Sequence, residues 1–180
     1  NIKEPSLLGI DIGTTTISAV ILSITSYRLT SVYTIPSVAD LPSKDRFTKT
    51  QDAVRIMERV KRLKDALLHR CPTIRAIGIT GQMHGIVYTD ENGILLSPLF
   101  TWEDNRAGAV YGGFEKSTCE WIHEAIGYQI PPGYGLATHI DLVRHGMVPK
   151  NASHIGTIMD YAVCELTGHT VPVCHISNAA

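Results

Sequence analysis

Hydrophobic and polar positions change period along the chain, and each change predicts an element. Leu7 to Asp11 is a short apolar run, and Thr16 to Ile24 is a second, rich in β-branched residues at Thr16, Ile17, Val20, Ile21 and Ile24. Tyr27 to Pro36 alternates as a third. These runs predict strands over 7–11, 16–24 and about 27–36, paired as a meander. A polar loop bracketed by Pro36 and Pro42 runs through Lys49. From Asp52 as N-cap, Ala53, Ile56, Met57, Val60, Leu63 and Leu67 recur at i, i+3, i+4 and predict a helix to about Arg70, stopped by Cys71-Pro72. Ile74 to Thr80 is a further strand ending at Gly81. A helix of that length serves as a crossover, so the fourth strand is expected parallel to a member of the meander.

The second half is more broken. Ile86 to Thr89 reads as a strand, Asp90 to Gly93 as its turn, and Leu95 to Thr101 as extended chain with Pro98 favouring an edge. Trp102 to Arg106 opens a glycine-containing helical stretch. Ser117 and Glu120 fit a capping box for a helix through Ile126, with Gly127 as its stop. Pro131 to Gly135 is a stiff loop. Ala137 to His145 is a short helix ended by Gly146, and Thr157 caps another to Leu166, ended by Gly168. The tail from Thr170 is apolar and closes on Ser177-Asn178-Ala179-Ala180. The fold class is α/β, with a mixed sheet: three antiparallel strands, then parallel strand and covering helices. Internal repeats are absent.

Composition narrows the function classes. A chain of 180 residues suits one domain and can bury a real core. Net charge is −1, with 18% charged residues and no basic block, so the totals give no case for nucleic acid or an anionic membrane surface. The apolar runs are far shorter than the ~20 residues of a membrane span, and Asn1 to Pro5 is no signal peptide. Cys71, Cys119, Cys164 and Cys174 are scattered, without a CxxC, which points to reduced thiols and a cytoplasmic setting. In that setting the Asn151-Ala152-Ser153 glycosylation pattern is a chance match.

Three stretches carry candidate chemistry. Leu8-Gly9-Ile10-Asp11-Ile12-Gly13-Thr14-Thr15-Thr16 joins a strand to a tight turn and a returning strand. Gly13 can take a φ that other residues resist. The turn offers backbone N–H groups and the Thr14, Thr15 and Thr16 hydroxyls to an anion, with Asp11 placed to hold a hydrated Mg²⁺. A plain Gly-Thr hairpin with a solvated Asp is an equal reading of those nine residues. Gln82, Met83 and His84 lie between Gly81 and Gly85 at the carboxyl end of a parallel strand, where open α/β sheets bind ligands. An amide and an imidazole suit hydroxyls, and a thioether packs on a sugar's C–H face. Trp102 and Asp104 form the third set: the indole stacks on a polyol, Asp104 accepts from hydroxyls, and Arg106 could fix Asp104 by a charged hydrogen bond. Taken alone, that pair is better read as a buried Trp beside a helix cap. The eight histidines show no HxxxH or HExxH spacing for zinc. A Walker loop, a post-strand GxGxxG and a GxSxG elbow are all missing.

Together, Leu8 to Thr16, Ile79 to Gly85 and Thr101 to Arg106 resemble the amino-terminal domain of FGGY carbohydrate kinases. Gly133 to Thr138, Gly156 to Tyr161 and Ser177 to Ala180 fit the same pattern, and the likeness covers Leu8 to Ala180. Within the family it runs first to the sedoheptulokinases, then to the xylulokinases. The first motif alone is shared with the wider actin, Hsp70 and hexokinase superfamily. The resemblance implies a ribonuclease-H-like, actin-like ATPase domain, truncated here. It implies ATP and Mg²⁺ as cofactors, Asp11 and the Gly13 to Thr16 turn facing the β- and γ-phosphates, and Gln82, Met83, His84, Trp102 and Asp104 lining a ketose pocket that Tyr134 also touches. The family's general base is an Asp in a Gly-Asp motif that this chain lacks, so the chain alone is expected to be catalytically silent. Glu103 and Asn105 stand where sedoheptulokinases tend to have Gln and Gly, which leaves the exact sugar open. Edges left bare by truncation allow self-association into a homodimer. The rival readings are a non-catalytic sugar-binding or scaffold module of the same fold and, more weakly, a filament-forming actin-like ATPase.

Overall fold

Alternation along the first strand decides how the sheet is covered. In the computed structural model, which describes residues 4–43, 45–175 and 178, β1 (Ser6–Ile12) buries Leu8, Ile10 and Ile12 and leaves Leu7 and Asp11 exposed. Side chains of a strand point alternately to its two faces, so Asp11 stands on the face opposite the core. β2 (Thr16–Ser23) repeats the pattern by burying Ile17, Ala19 and Ile21. α1 (Ala53–Arg70) begins directly after Asp52 and packs on both strands, burying Ala53, Ile56, Met57, Val60 and Leu67. These are the positions that helical spacing picks out, except that Leu63 is only half-buried.

The chain divides into two compact units. The first, Asn1–Ala39 with Ala53–Gln82, holds a four-stranded sheet in the order β3-β2-β1-β5. β3 (Leu29–Pro36) pairs antiparallel with β2, β2 with β1, and β5 (Ile74–Gly81) runs parallel to β1. The meander, the crossover helix and the parallel return all stand where the pattern puts them.

The second unit, Asp40–Asp52 with Met83–Ala180, holds two small two-stranded sheets and three α-helices among its described residues. β4 (Thr50–Gln51) pairs with β7 (Leu99–Phe100), and β6 (Val87–Thr89) pairs with β8 (His154–Gly156). β4 and β8 are absent from the sequence expectation. Two or three residues are too short to show a period, and each strand exists only through its partner. Trp102 to Arg106 likewise opens no α-helix. A single 3-10 turn, Arg106–Gly108, follows it, because the glycines weaken helix propensity.

The remaining helices follow their caps. α2 (Thr118–Ile126) carries the Ser117–Glu120 capping box and stops at a left-handed Gly127. α4 (Ile158–Thr167) carries the Thr157–Asp160 box and stops at Gly168 in the same conformation. α3 (Gly135–Arg144) is tied to α2 through its buried Asp141, which accepts from Thr118 Oγ1 at 2.6 Å and from the Tyr111 hydroxyl. One apolar cluster joins Ile86, Tyr88, Phe100 and Leu142, and another joins Ala107, Ile122, Ile130 and Ala137. They fix the loops that carry the candidate residues. No described helix is long and apolar enough to cross a membrane.

Candidate functional site

The candidate residues separate into two sets, one in each unit. In the first unit, Asp11 is exposed at the end of β1, and Thr15 and Thr16 are exposed in the turn beside it. The Gly13 N–H donates to Thr16 O at 2.9 Å and closes the turn. Gly13 does not have a positive φ. What excludes a side chain there is space, since a Cβ would sit 2.9 Å from the Thr16 carbonyl oxygen. Thr14 Oγ1 donates to Gln82 Oε1 at 3.3 Å, and the Gln82 N–H donates to Ile12 O at 2.9 Å. The turn is thereby joined to the end of β5, as parallel pairing of β1 and β5 permits. Gln82 is buried and belongs with the turn, apart from Met83 and His84.

An exposed carboxylate beside exposed hydroxyls is a hard-oxygen donor set of the kind Mg²⁺ takes, and Mg²⁺ usually keeps its waters and uses one or two carboxylates with substrate phosphates. Among the described residues no three His, Cys, Asp or Glu converge as a metal cage. Asp11 with water fits such an ion; a protein-only cage does not.

In the second unit the set is built around His84 and Tyr134. Their rings stack with centroids 4.1 Å apart and planes 6° from parallel. His84 holds φ at +64°, a left-handed backbone that costs a non-glycine residue about 1–3 kcal/mol and is met mainly where function over-determines it. Its ring nitrogens take no hydrogen bond from the described residues, unlike those of a structural core histidine. Tyr134 is the N-cap residue of α3 but makes no side-chain cap bond; it stacks on His84 and packs against the cluster of Ala107, Ile122, Ile130 and Ala137.

Close backbone contacts hold that wall together. A Cβ on Gly133 would meet Trp102 O at 1.8 Å, and one on Gly135 would meet Ile86 Cγ2 at 2.6 Å and His84 O at 2.9 Å. Only glycine lets the Pro131 to Gly135 loop lie against both the Trp102 and His84 stretches. Trp102 and Met83 stay about half exposed, at 49% and 48%.

Asp104 is fully buried, and its carboxylate is occupied. Oδ1 accepts from Arg106 Nε at 2.7 Å and from the Arg106 N–H at 3.1 Å; Oδ2 accepts from Arg106 Nη2 and from the Lys49 N–H, both at 2.9 Å. Four bonds use the whole acceptor capacity of a carboxylate. The charged bond expected between Arg106 and Asp104 is present as a bidentate pair. Burial works against the Arg106 charge, but the hydrogen bonds and charge of Asp104 outweigh it and hold the guanidinium above its ordinary pKa. The same guanidinium lies 4.7 Å from the Phe100 ring centre. Asp104 thus ties Lys49, on the far side of a long loop, to the Trp102 stretch. Sequence reading saw the pair but not Lys49, whose contribution is a backbone group with no side-chain signal.

A cavity of about 220 Å³ opens beside His84. Gly85, Ile86, Gly135, Leu136, His139, Ile155, Thr157 and Asn178 are among its lining. His139 was not singled out in the sequence, because nothing in its spacing distinguishes it from the other histidines. Of the closing Ser-Asn-Ala-Ala motif, Asn178 alone is described; Ser177, Ala179 and Ala180 lie outside the described residues.

Residues 6–180 match the model of the FGGY family of carbohydrate kinases, N-terminal domain. The sedoheptulokinase of Mus musculus is 27% identical over 202 residues, covering 99% of this chain and 41% of the relative. A xylulose kinase of Staphylococcus epidermidis is 26% identical over 107 residues, covering 56% of this chain and 20% of its own. The crystal structure of xylulose kinase from Rhodospirillum rubrum superposes with a TM-score of 0.77 at 19% identity, over 97% of this chain and 37% of that one. This chain therefore spans less than half the length of these relatives, and the fold is that of the actin-like sugar kinases. The chain belongs to the FGGY family of carbohydrate kinases, matching its N-terminal domain.

Proposed function

We propose that this chain is the sugar-binding and phosphate-loop part of an ATP-dependent carbohydrate kinase that phosphorylates a primary hydroxyl of a ketose, sedoheptulose-like or xylulose-like. The observation that carries the reading is the His84–Tyr134 stack. A histidine is held in a strained backbone, its ring nitrogens without a hydrogen bond from the described residues, against an aromatic ring. Such a surface packs on the C–H face of a polyol and offers polar edges to its oxygens. Met83 and Trp102 are assigned to the same sugar. Asp104 is assigned chiefly to hold the Trp102 loop, since direct contact with a sugar hydroxyl requires one of its four present bonds to open.

Phosphoryl transfer consists mostly of positioning and charge neutralisation. The Gly13 to Thr16 turn is assigned to the ATP phosphates, and Asp11 to Mg²⁺ through water. The ion, when bound, neutralises charge on the phosphate oxygens. Asp11 orients it, and the Thr14–Gln82 bond keeps the turn in register with β5. Four free thiols fit a reducing, cytoplasmic setting. The test is calorimetric titration of the protein with sedoheptulose and xylulose. Saturable binding is expected for at least one; no heat with either overturns the reading.

A further inference from the structure

The outer edge of β3 is bare. In the order β3-β2-β1-β5 it is an end strand, and among the described residues its far side pairs with nothing. Such an edge presents a row of N–H and C=O groups, which proteins usually blunt with charge or proline inside the strand. β3 has neither: Leu29 to Ile35 holds no charged residue, and Pro36 is the last residue of the strand. Pairing with β2 is regular from Ser31 to Pro36. Tyr33 and Ile35 lie opposite Ala19 and Ile17 and so share the face that α1 covers, yet both are only half-buried. On the other face Val32 is 64% exposed.

Charge stands beside this edge instead. Arg55, Arg59, Arg62 and Arg70 fall at helical spacing on one flank of α1. That flank leans on β3. Arg55 Nη1 donates to Val38 O at 3.2 Å, Arg59 Nη1 donates to Pro36 O at 3.0 Å, and the Arg70 guanidinium lies 5.8 Å from the Tyr33 ring centre. The helix thus runs antiparallel to the strand. Between them opens a groove of about 460 Å³, lined by Ile35, Leu63, Arg55, Arg59, Arg62 and one acid, Glu58. Among the described residues no ion pair joins Arg59, Arg62 or Arg70 to a carboxylate. Six of the 18 residues of α1 are Arg or Lys and two are acidic, an excess that the chain's total of −1 conceals.

We propose that β3 and α1 together dock an extended acidic segment of a partner protein, which adds to the sheet as a strand beyond β3 and turns its carboxylates to the arginine flank. Backbone pairing selects a polypeptide over a nucleic acid or a lipid surface, since neither offers a strand. Charge selects an acidic one and rejects a second copy of this chain, whose own arginines would come up against these. The pleat sets a period of two: acidic side chains on the α1 side alternate with β-branched ones beside Val32. No residue of this surface belongs to the candidate sets, so the inference is independent of the ketose reading.

The experiment is a fluorescence-anisotropy titration of the protein with a labelled peptide of alternating Glu and Val, eight residues long like β3. Its comparisons are the same peptide N-methylated on its backbone, a Lys-Val counterpart, a single-stranded oligonucleotide and vesicles of phosphatidylserine. Wild type should bind the Glu-Val peptide saturably, and the amides of Ser31 to Ile35 should gain protection from deuterium exchange on binding. Arg62→Glu should weaken binding about tenfold. Lys61→Glu makes the same change of charge off that flank and should bind as wild type; thermal unfolding of both variants is the folding control. The other four probes should bind at least about tenfold more weakly than the Glu-Val peptide. The inference is overturned if the N-methylated peptide binds as well as its parent, since charge alone would then suffice. Equal weakening by Lys61→Glu and Arg62→Glu, tighter binding of the oligonucleotide or the vesicles, or no binding of the Glu-Val peptide overturns it too.

Discussion

The turn after β1 is made by one stretch of chain, Asp11 to Thr16, with Gln82 joining it from the end of β5. The wall around Tyr134 is gathered from four: the Lys49 backbone, His84 to Ile86, Trp102 to Arg106, and Pro131 to Gly135. In the turn, Asp11, Thr15 and Thr16 are exposed, and little of the fold depends on their side chains. In the wall, the groups proposed to face a ligand also lean on buried partners. Function and stability should therefore separate in the first region and travel together in the second.

The largest effect should come from Asp104→Ala. Asp104 and Arg106 are both buried, and removing one partner of a buried pair leaves an uncompensated charge that costs about 3–5 kcal/mol. Urea unfolding checks this; a loss near the ~0–1 kcal/mol of a surface pair would show that the loop is not held this way. Gly133→Ala comes next. The added methyl meets the Trp102 carbonyl, and overpacking of this kind costs about 1–3 kcal/mol. Trp102 should change its fluorescence as its stretch is pushed aside, and an unchanged spectrum would break the link between the two loops.

A purely local cost gives the scale for these two. Ser117→Ala removes an N-cap and should cost about 1 kcal/mol without touching ligand binding. The same cap has a pH signature. Hydrogen bonds from the Ser117 hydroxyl and N–H hold the Glu120 carboxyl below its ordinary value. A depressed folded-state pKa gives stability that is fully present above the unfolded value of about 4.3 and lost as pH falls through the folded one. The stability gap between wild type and Glu120→Gln should be flat above about pH 5 and close below about pH 4. The smallest effect on stability belongs to Asp11→Ala. Asp11 is exposed, so the change should stay within about 0.5 kcal/mol, while binding of Mg²⁺-ATP is lost. A large destabilisation there would erase the contrast between the two regions.

What could be read from the sequence follows the same line. The meander, the crossover helix, the parallel return and both capping boxes are local patterns, and each stands where its residues put it. The turn from Asp11 to Thr16 was legible because one stretch carries it, although Gly13 is required for space and not for a positive φ. β4 and β8 were not legible, since they are strands only by pairing. The stack at His84, the contact of Gly133 with Trp102 and the Lys49 N–H on Asp104 all join residues far apart in the chain. A single sequence shows the two ends of such contacts and nothing of their meeting.

The central claim is that one region is fitted to a sugar and the other to a nucleotide's phosphates. It is tested most directly by a crossed titration, with a ketose and with Mg²⁺-ATP, of wild type, His84→Ala and Asp11→Ala. His84→Ala should lose the ketose and keep Mg²⁺-ATP, and Asp11→Ala should lose Mg²⁺-ATP and keep the ketose. Ketose binding that survives His84→Ala unchanged would contradict the account.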